Sequence, residues 1–404
     1  MAVEIRAAQG DEYEQFALIG AYVFAGAFGD GADNAVAAGN RPEWTTCAFV
    51  DGRMAASYST IPFTMRANGT AVALAGVTAV GTLPEYRRQG LLRAITTQSF
   101  ADMRGRGQAV AALWASQSAI YQRYGYALAS MQLSYHIDSV DIAFNDADAG
   151  SAHVERVSTA AAYDIVKNIY IAFVATRIGY LHRAKTLWLN NALATSAATG
   201  PAHVAVASDN AGNAVGYVIY HLRGGSGHMT RGQEITIKDF AWLTADAYRS
   251  LWSWLARHDL VGKIVWQRAP IDDPAMEMLV EPRLLQPQLR DGIWLRIVDV
   301  REAFAQRGYG ATGKISFAIA RDDLAPWNQG KFELSCEPSG ARVVATRGEC
   351  DLVLSVKALA SLYSGLRSPQ QLAHWGMLAG SGEAISRATS IFATQHAPHC
   401  PDNF

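Results

Sequence analysis

An α+β fold containing one unit twice is what this sequence predicts, and three observations carry the prediction. Apolar runs of strand length alternate with stretches of helical spacing along the whole chain. The order hairpin, strand, helix found in the first third recurs between residues 203 and 258. At 404 residues the chain is also too long for one ordinary core, so two or three domains are expected.

The elements follow in order. Residues 3–7 read as an opening strand, and 11–28 carry Phe16, Leu18, Ile19, Tyr22 and Val23 at helical spacing behind an acidic first turn. Residues 29–39 are small and polar, a loop. Residues 45–63 read as a hairpin turning at Asp51-Gly52. An apolar run, a helix with Leu91, Leu92, Ile95, Phe100 and Met103, and a second apolar run at 109–115 come next, and 131–138 alternate like a further strand. This suits helices layered on a mostly antiparallel sheet. A small, polar stretch at 146–151 marks a boundary. Beyond it lie a strand and helix, a hairpin at 203–222, a strand at 234–243 and a helix at 245–258, which repeat the first unit's order. From Asp291 onward new strands and helices begin. The expected domains are 1–148, 149–289 and 290–404.

Bulk properties exclude several functions. Half of the residues are hydrophobic, 18% are charged, and the net charge is −1, without the basic excess of a nucleic-acid binder. Cys47, Cys336, Cys350 and Cys400 show neither a C-x-x-C pair nor metal-ligand spacing. The N-terminal residues lack a signal-peptide pattern, and no apolar run reaches spanning length. A soluble cytoplasmic protein without stable membrane association is expected, leaderless secretion staying open. No serine stands in a G-x-S-x-G elbow, so Ser116 and His153 do not make a hydrolase. His396 and His399 lack a third ligand, so no metal is expected. Trp252, Trp254 and Trp266 read as core or interface.

The chemistry concentrates in residues 75–126. An apolar strand runs through Pro84 into the basic turn Arg87-Arg88-Gln89-Gly90 and then a helix. Amide groups at a helix start favour an anion, and paired arginines add charge-assisted contacts to phosphate. The repeat lacks this device. Its strand meets its helix through Thr244 to Arg249, with no glycine, no paired arginine and Asp246 in the way. The second unit is therefore expected to buttress rather than to bind a phosphate-bearing ligand.

Arg87 to Leu92 matches the R-x-x-G-x-(small or apolar) pyrophosphate loop of the GNAT acyltransferases. The longer run V-x-x-L-P-x-x-R-R-x-G-L-L-R, followed by A-A-L-W-A-S-x-x-x-I-Y-x-R-Y-G-Y, resembles the enhanced intracellular survival (Eis) N-acetyltransferases. The resemblance spans the chain. It implies tandem GNAT folds, the second without the coenzyme A loop, followed by a sterol carrier protein-like domain. Lipid carriage need not accompany that last fold.

By this resemblance Val80 and Thr82 pair with pantetheine, and the N–H of Ala79 or Val80 faces the thioester oxygen. Arg87, Arg88, Gly90 and Leu91 hold the pyrophosphate of the cosubstrate acetyl-CoA. Tyr126 is the implied general acid, since a phenol of pKa near 10 can protonate a leaving thiolate. The implied base is the C-terminal carboxylate of Phe404, whose ring would anchor it. The family also implies primary-amine acceptors, multi-site acetylation of aminoglycosides or acetylation of lysines, and a homohexamer. Acidic residues suited to polycations stand in the family's first loop and before its terminal aromatic. Here Asp30 and Asp33 occupy the loop, Asn403 precedes Phe404, and Asp402 lies one step back. An acetyltransferase of a small metabolite amine and a non-catalytic binder of an apolar ligand are the alternative readings.

Overall fold

A computed structural model describes residues 2–26, 40–145, 150–195, 199–224, 230–337 and 339–404. The chain forms two compact units, Met1–Ser130 with Gly292–Pro398 and Asn403–Phe404, and Met131–Asp291 with His399–Asp402. Compactness thus divides the chain differently from the three consecutive domains expected.

The first unit opens with β1 (Val3–Arg6), α1 (Glu12–Val23) and β2 (Cys47–Val50). β3 (Arg53–Ala67), β4 (Ala71–Thr82), α2 (Leu91–Gly105), β5 (Val110–Trp114) and β6 (Ala127–Leu128) follow. Ile95, Phe100 and Met103 put the apolar face of α2 into a core shared with Ala75, Val77, Ala111 and Leu113, all almost wholly buried. The spacing of those residues on α2 is what makes its one face apolar.

In the second unit, β7 (Met131–Asp138), β8 (His153–Val157), α3 (Thr159–Phe173), β9 (Ile178–Leu181), β10 (Ala202–Ser208), β11 (Ala214–Arg223) and β12 (Gln233–Trp242) precede α4 (Ala245–Ala256), β13 (Val261–Pro270) and β14 (Gln288–Asp291). Its sheet has the order β14-β7-β13-β12-β11-β10-β8. β15 (Ile293–Ile297) then returns to the first unit, whose main sheet runs β1-β2-β3-β4-β5-β15-β6.

Two strands therefore sit where local reading does not put them. Residues 131–138, expected to close the first unit, pair antiparallel with β13 of the second. Residues 293–297, expected in the last domain, pair antiparallel with β5 and β6 of the first. Alternation identifies a strand but is silent on its partner, because any half-buried edge accepts the same pattern.

The remainder of the first unit contains α5 (Val300–Gln306), β16 (Gly313–Ile319), β17 (Gly330–Glu337), β18 (Gly340–Ala345), β19 (Leu352–Leu354), α6 (Val356–Ser364), α7 (Pro369–His374), β20 (Leu378–Gly380) and α8 (Gly382–Phe392). These strands order as β18-β17-β16-β19-β20. The ring of Phe304 meets those of Phe317, Tyr363 and Phe392, and the fully buried Arg307 lies over the Phe392 ring at 5.4 Å. That guanidinium donates to the carbonyls of Tyr363, Gly308 and Phe392. Among the described residues no helix is long and apolar enough to cross a membrane.

Candidate active site

β4 organises the site because its two edges behave differently. Along β3 it pairs over nearly its whole length, from Ala71 to Thr82. Toward β5 it pairs in parallel only through Leu74, Gly76 and the residue between. Beyond Gly76 that edge has no strand partner among the described residues, leaving backbone groups available to an extended ligand.

A bulge marks the parting. Ser59 pairs with Thr78 and Ser57 with Gly81, so Ala79 and Val80 together oppose the single residue Tyr58. Ala79 takes φ +51, a left-handed conformation costly for a residue with a Cβ. The Ser57 hydroxyl donates to the Ala79 carbonyl at 2.9 Å and holds the bulge in place.

The strand then enters a 3₁₀ turn, Pro84–Tyr86, and a loop in which Arg88 has φ +64 and Gly90 φ +80. A Cβ on Gly90 would meet no protein atom within 4 Å, so the backbone conformation is what calls for glycine there. The loop is braced by Arg87 Nε donating to the Thr82 carbonyl at 3.2 Å. Gly90 is also the N-cap of α2 and offers no side chain to its first amides. Those amides remain open to an anion.

Around this loop lies a cavity of about 570 Å³, lined by β4 residues Val80, Gly81 and Thr82 and by Arg87, Arg88, Gly90 and Leu91. Its other walls come from Val23 and Phe24, Tyr86, Arg93, and a segment after β5 that includes Ser116, Tyr121, Arg123 and Tyr124. Among the described residues, four arginines and no carboxylate line it. Such an environment suits a polyanion, and coenzyme A with its diphosphate and 3′-phosphate is one. Residues Val80, Thr82, Arg87, Arg88, Gly90 and Leu91, singled out by sequence, thus meet in one cavity, with Ala79 at the bulge beside them. Arg93 and Arg123 escaped sequence reasoning. Arg93 stands one helical turn after Gly90, which is the signal that could have found it.

Tyr121 and Tyr126, the second of them the implied general acid, are placed differently with respect to this cavity. Tyr126 does not line the cavity. Its ring is enclosed by Phe100 at 6.2 Å and Tyr121 at 6.0 Å, and its hydroxyl is buried beside that of Tyr58 without a hydrogen bond of normal geometry. Tyr121 does line the cavity. Burial pushes its phenol up to about 12, with Ser116 opposing the shift, so it keeps its proton at neutral pH. Gly125, at φ +81, turns the chain between the two, and their rings meet edge to face.

Phe404 comes to the same strand. Its ring lies 5.3 Å from that of Phe63. A Cβ on Gly76 would stand 2.5 Å from Phe63 Cε2 and 2.9 Å from Phe404 Cδ2. The ring therefore occupies the space above a glycine, three positions before the bulge. Asp402 points elsewhere, into a buried ion pair with Arg183 at 2.9 Å in the second unit. Asp30 and Asp33 lie outside the described residues.

At the repeat's matching junction, the Thr244 hydroxyl accepts from the Ala247 amide at 3.1 Å and caps α4 itself. Asp246 accepts from the Ser151 amide at 2.7 Å. A capped helix start carrying a carboxylate offers phosphate nothing.

Comparison with known proteins agrees with this layout. Residues 4–129 match a family model described as an acetyltransferase (GNAT) domain, residues 179–297 match a second model so described, and residues 300–401 match a sterol carrier protein domain. The chain is 30% identical to an uncharacterized N-acetyltransferase of Streptomyces coelicolor over 83% of its length and 82% of that protein's. It is 30% identical to the N-acetyltransferase Eis of Mycobacterium bovis, over 79% of this chain and 78% of that one. The crystal structure of Eis1 from Mycobacterium abscessus superposes with TM-score 0.83 at 28% identity, and a GCN5-related N-acetyltransferase from Anabaena variabilis with 0.87 at 27%; both cover each chain fully.

Proposed function

Because this chain belongs to the Eis family of GNAT N-acetyltransferases, we propose that it transfers the acetyl group of acetyl-CoA to a primary amine in the cleft where β4 and β5 part. The observation that carries this is the arginine-lined cavity built on an uncapped helix start. Arg87, Arg88, Arg93 and the first amides of α2 hold the diphosphate. The free edge of β4 at Val80 and Thr82 pairs with the pantetheine arm, and an amide at the bulge polarises the thioester carbonyl.

In the reaction a C–N bond forms and the C–S bond breaks. The carboxylate of Phe404 accepts the proton leaving the amine, directly or through water. The hydroxyl of Tyr121, which lines the cavity where Tyr126 does not, protonates the departing thiolate. Aminoglycoside amines, lysine side chains and small metabolite amines are the acceptor classes, and the family's homohexamer is the expected assembly.

The test is coenzyme A release from acetyl-CoA across a panel of these three amine classes. Release with at least one class is expected, and acetyl-CoA binding without release on any would favour the non-catalytic alternative. Appending two glycines after Phe404 converts its carboxylate into an amide. Turnover should fall at least a hundredfold, and unchanged turnover would remove the base.

A further inference from the structure

The tail is held in the second unit before its last two residues enter the first. The His399 amide donates to the Ile178 carbonyl at 3.0 Å. Beside it Gly179, at φ +94, has no room for a side chain, since a Cβ would stand 2.6 Å from the His399 carbonyl oxygen. Backbone contact thus seats the tail at β9.

Charge then fixes its register. Arg183, whose side chain is 2% exposed, spans two carboxylates. Its Nε donates to Asp402 Oδ1 at 2.9 Å, and its two Nη atoms donate to Asp239. Arg268 donates to the Pro401 carbonyl at 3.1 Å. Lys238 is a third, mostly buried cation whose charge interacts with Asp402. Within this socket Arg183 already has one carboxylate, Asp239, which accepts from both of its Nη atoms. An uncompensated buried cation is costly. Asp402 supplies the second carboxylate.

We propose that Arg183 is a positioning residue for the acetyl transfer: by clamping Asp402 it sets where Phe404, two residues on, presents its carboxylate. The inference rests on the reading of Phe404 as the base. Two extended residues span about 7 Å at most, so a displacement at Asp402 passes almost undamped to the chain's last group. Misplacement by about 1 Å can cost on the order of a hundredfold in rate.

The experiment compares wild type, Asp402→Asn, the glycine-extended chain and the extended chain carrying Asp402→Asn. Asparagine keeps the shape and removes the charge, while Arg183 retains Asp239. Asp402→Asn is expected to lower kcat at least tenfold, leave the acetyl-CoA KM within twofold, and add no further loss once the tail is extended. Asp402→Glu should recover part of the rate. Wild-type kcat in Asp402→Asn, or the same fold loss in the extended background, would overturn the proposal. If the extended chain alone is fully active, the base reading fails. If that chain is inactive while Asp402→Asn is unimpaired, only the clamp fails. Should Asp402→Asn not fold, Arg183→Lys, which keeps the charge but loses the two-sided fork, takes its place under the same criteria.

Discussion

Tyr121 and Tyr126 are five positions apart, and the chemistry turns on which of them reaches the cleft. Both phenols are driven up by burial and both would be protonated at neutral pH, so protonation state does not distinguish them. Access does. Tyr121→Phe is expected to lower kcat by about 10²–10⁴-fold with little change in the acetyl-CoA KM, the usual range for losing a general acid. Tyr126→Phe should stay within about threefold of wild type, and steady-state kinetics on both variants would show it. The reverse ranking would return the acid to Tyr126. The sequence Y-Q-R-Y-G-Y could not separate the candidates, because side-chain direction there depends on the left-handed turn at Gly125. By contrast Arg87, Arg88 and Gly90 were legible beforehand, since a glycine turn opening a helix is a local device.

At the level of elements, two helix starts on the same kind of scaffold differ in one decisive respect. Gly90 leaves the amides of α2 open, whereas Thr244 closes those of α4 with its own hydroxyl. Thr244→Ala should therefore destabilise the protein by about 1 kcal/mol in denaturant unfolding while leaving the acetyl-CoA KM unchanged. A raised KM would mean that the second copy takes part in cosubstrate binding. The contrast was readable from Thr244-Ala245-Asp246 against Arg88-Gln89-Gly90. The placement of β7 and β15 was not. Their pattern announces strands, and only the partners available in three dimensions assign each to its sheet.

For the molecule as a whole, one buried acid gives stability a pH dependence. Asp273 in the second unit accepts from the Tyr248 hydroxyl at 2.8 Å and from the Ala275 amide, but burial outweighs these bonds and raises its pKa from 3.8 to about 7. A carboxyl raised on folding favours the protonated native state. Its contribution is full below about pH 4 and is lost as pH climbs through 7, amounting to about 4 kcal/mol at most. The melting temperature should fall between pH 5 and 8. Asp273→Asn, which can still accept from Tyr248, should flatten that decline and melt higher than wild type at pH 8. An equal decline in the variant would place the pH dependence elsewhere.

By itself the sequence determined the duplicated α+β plan, the phosphate-sized turn and its absence from the second copy. Each depends on residues within a few positions of one another, or on the order in which such groups recur. Tertiary structure alone decided that Tyr121 rather than Tyr126 faces the cavity, that Phe404 rests over Gly76, and that Asp402 turns to Arg183. Those outcomes are set by which surfaces remain after the sheets have formed, and by the need of a buried carboxylate for a cation that stands 219 positions away in the chain.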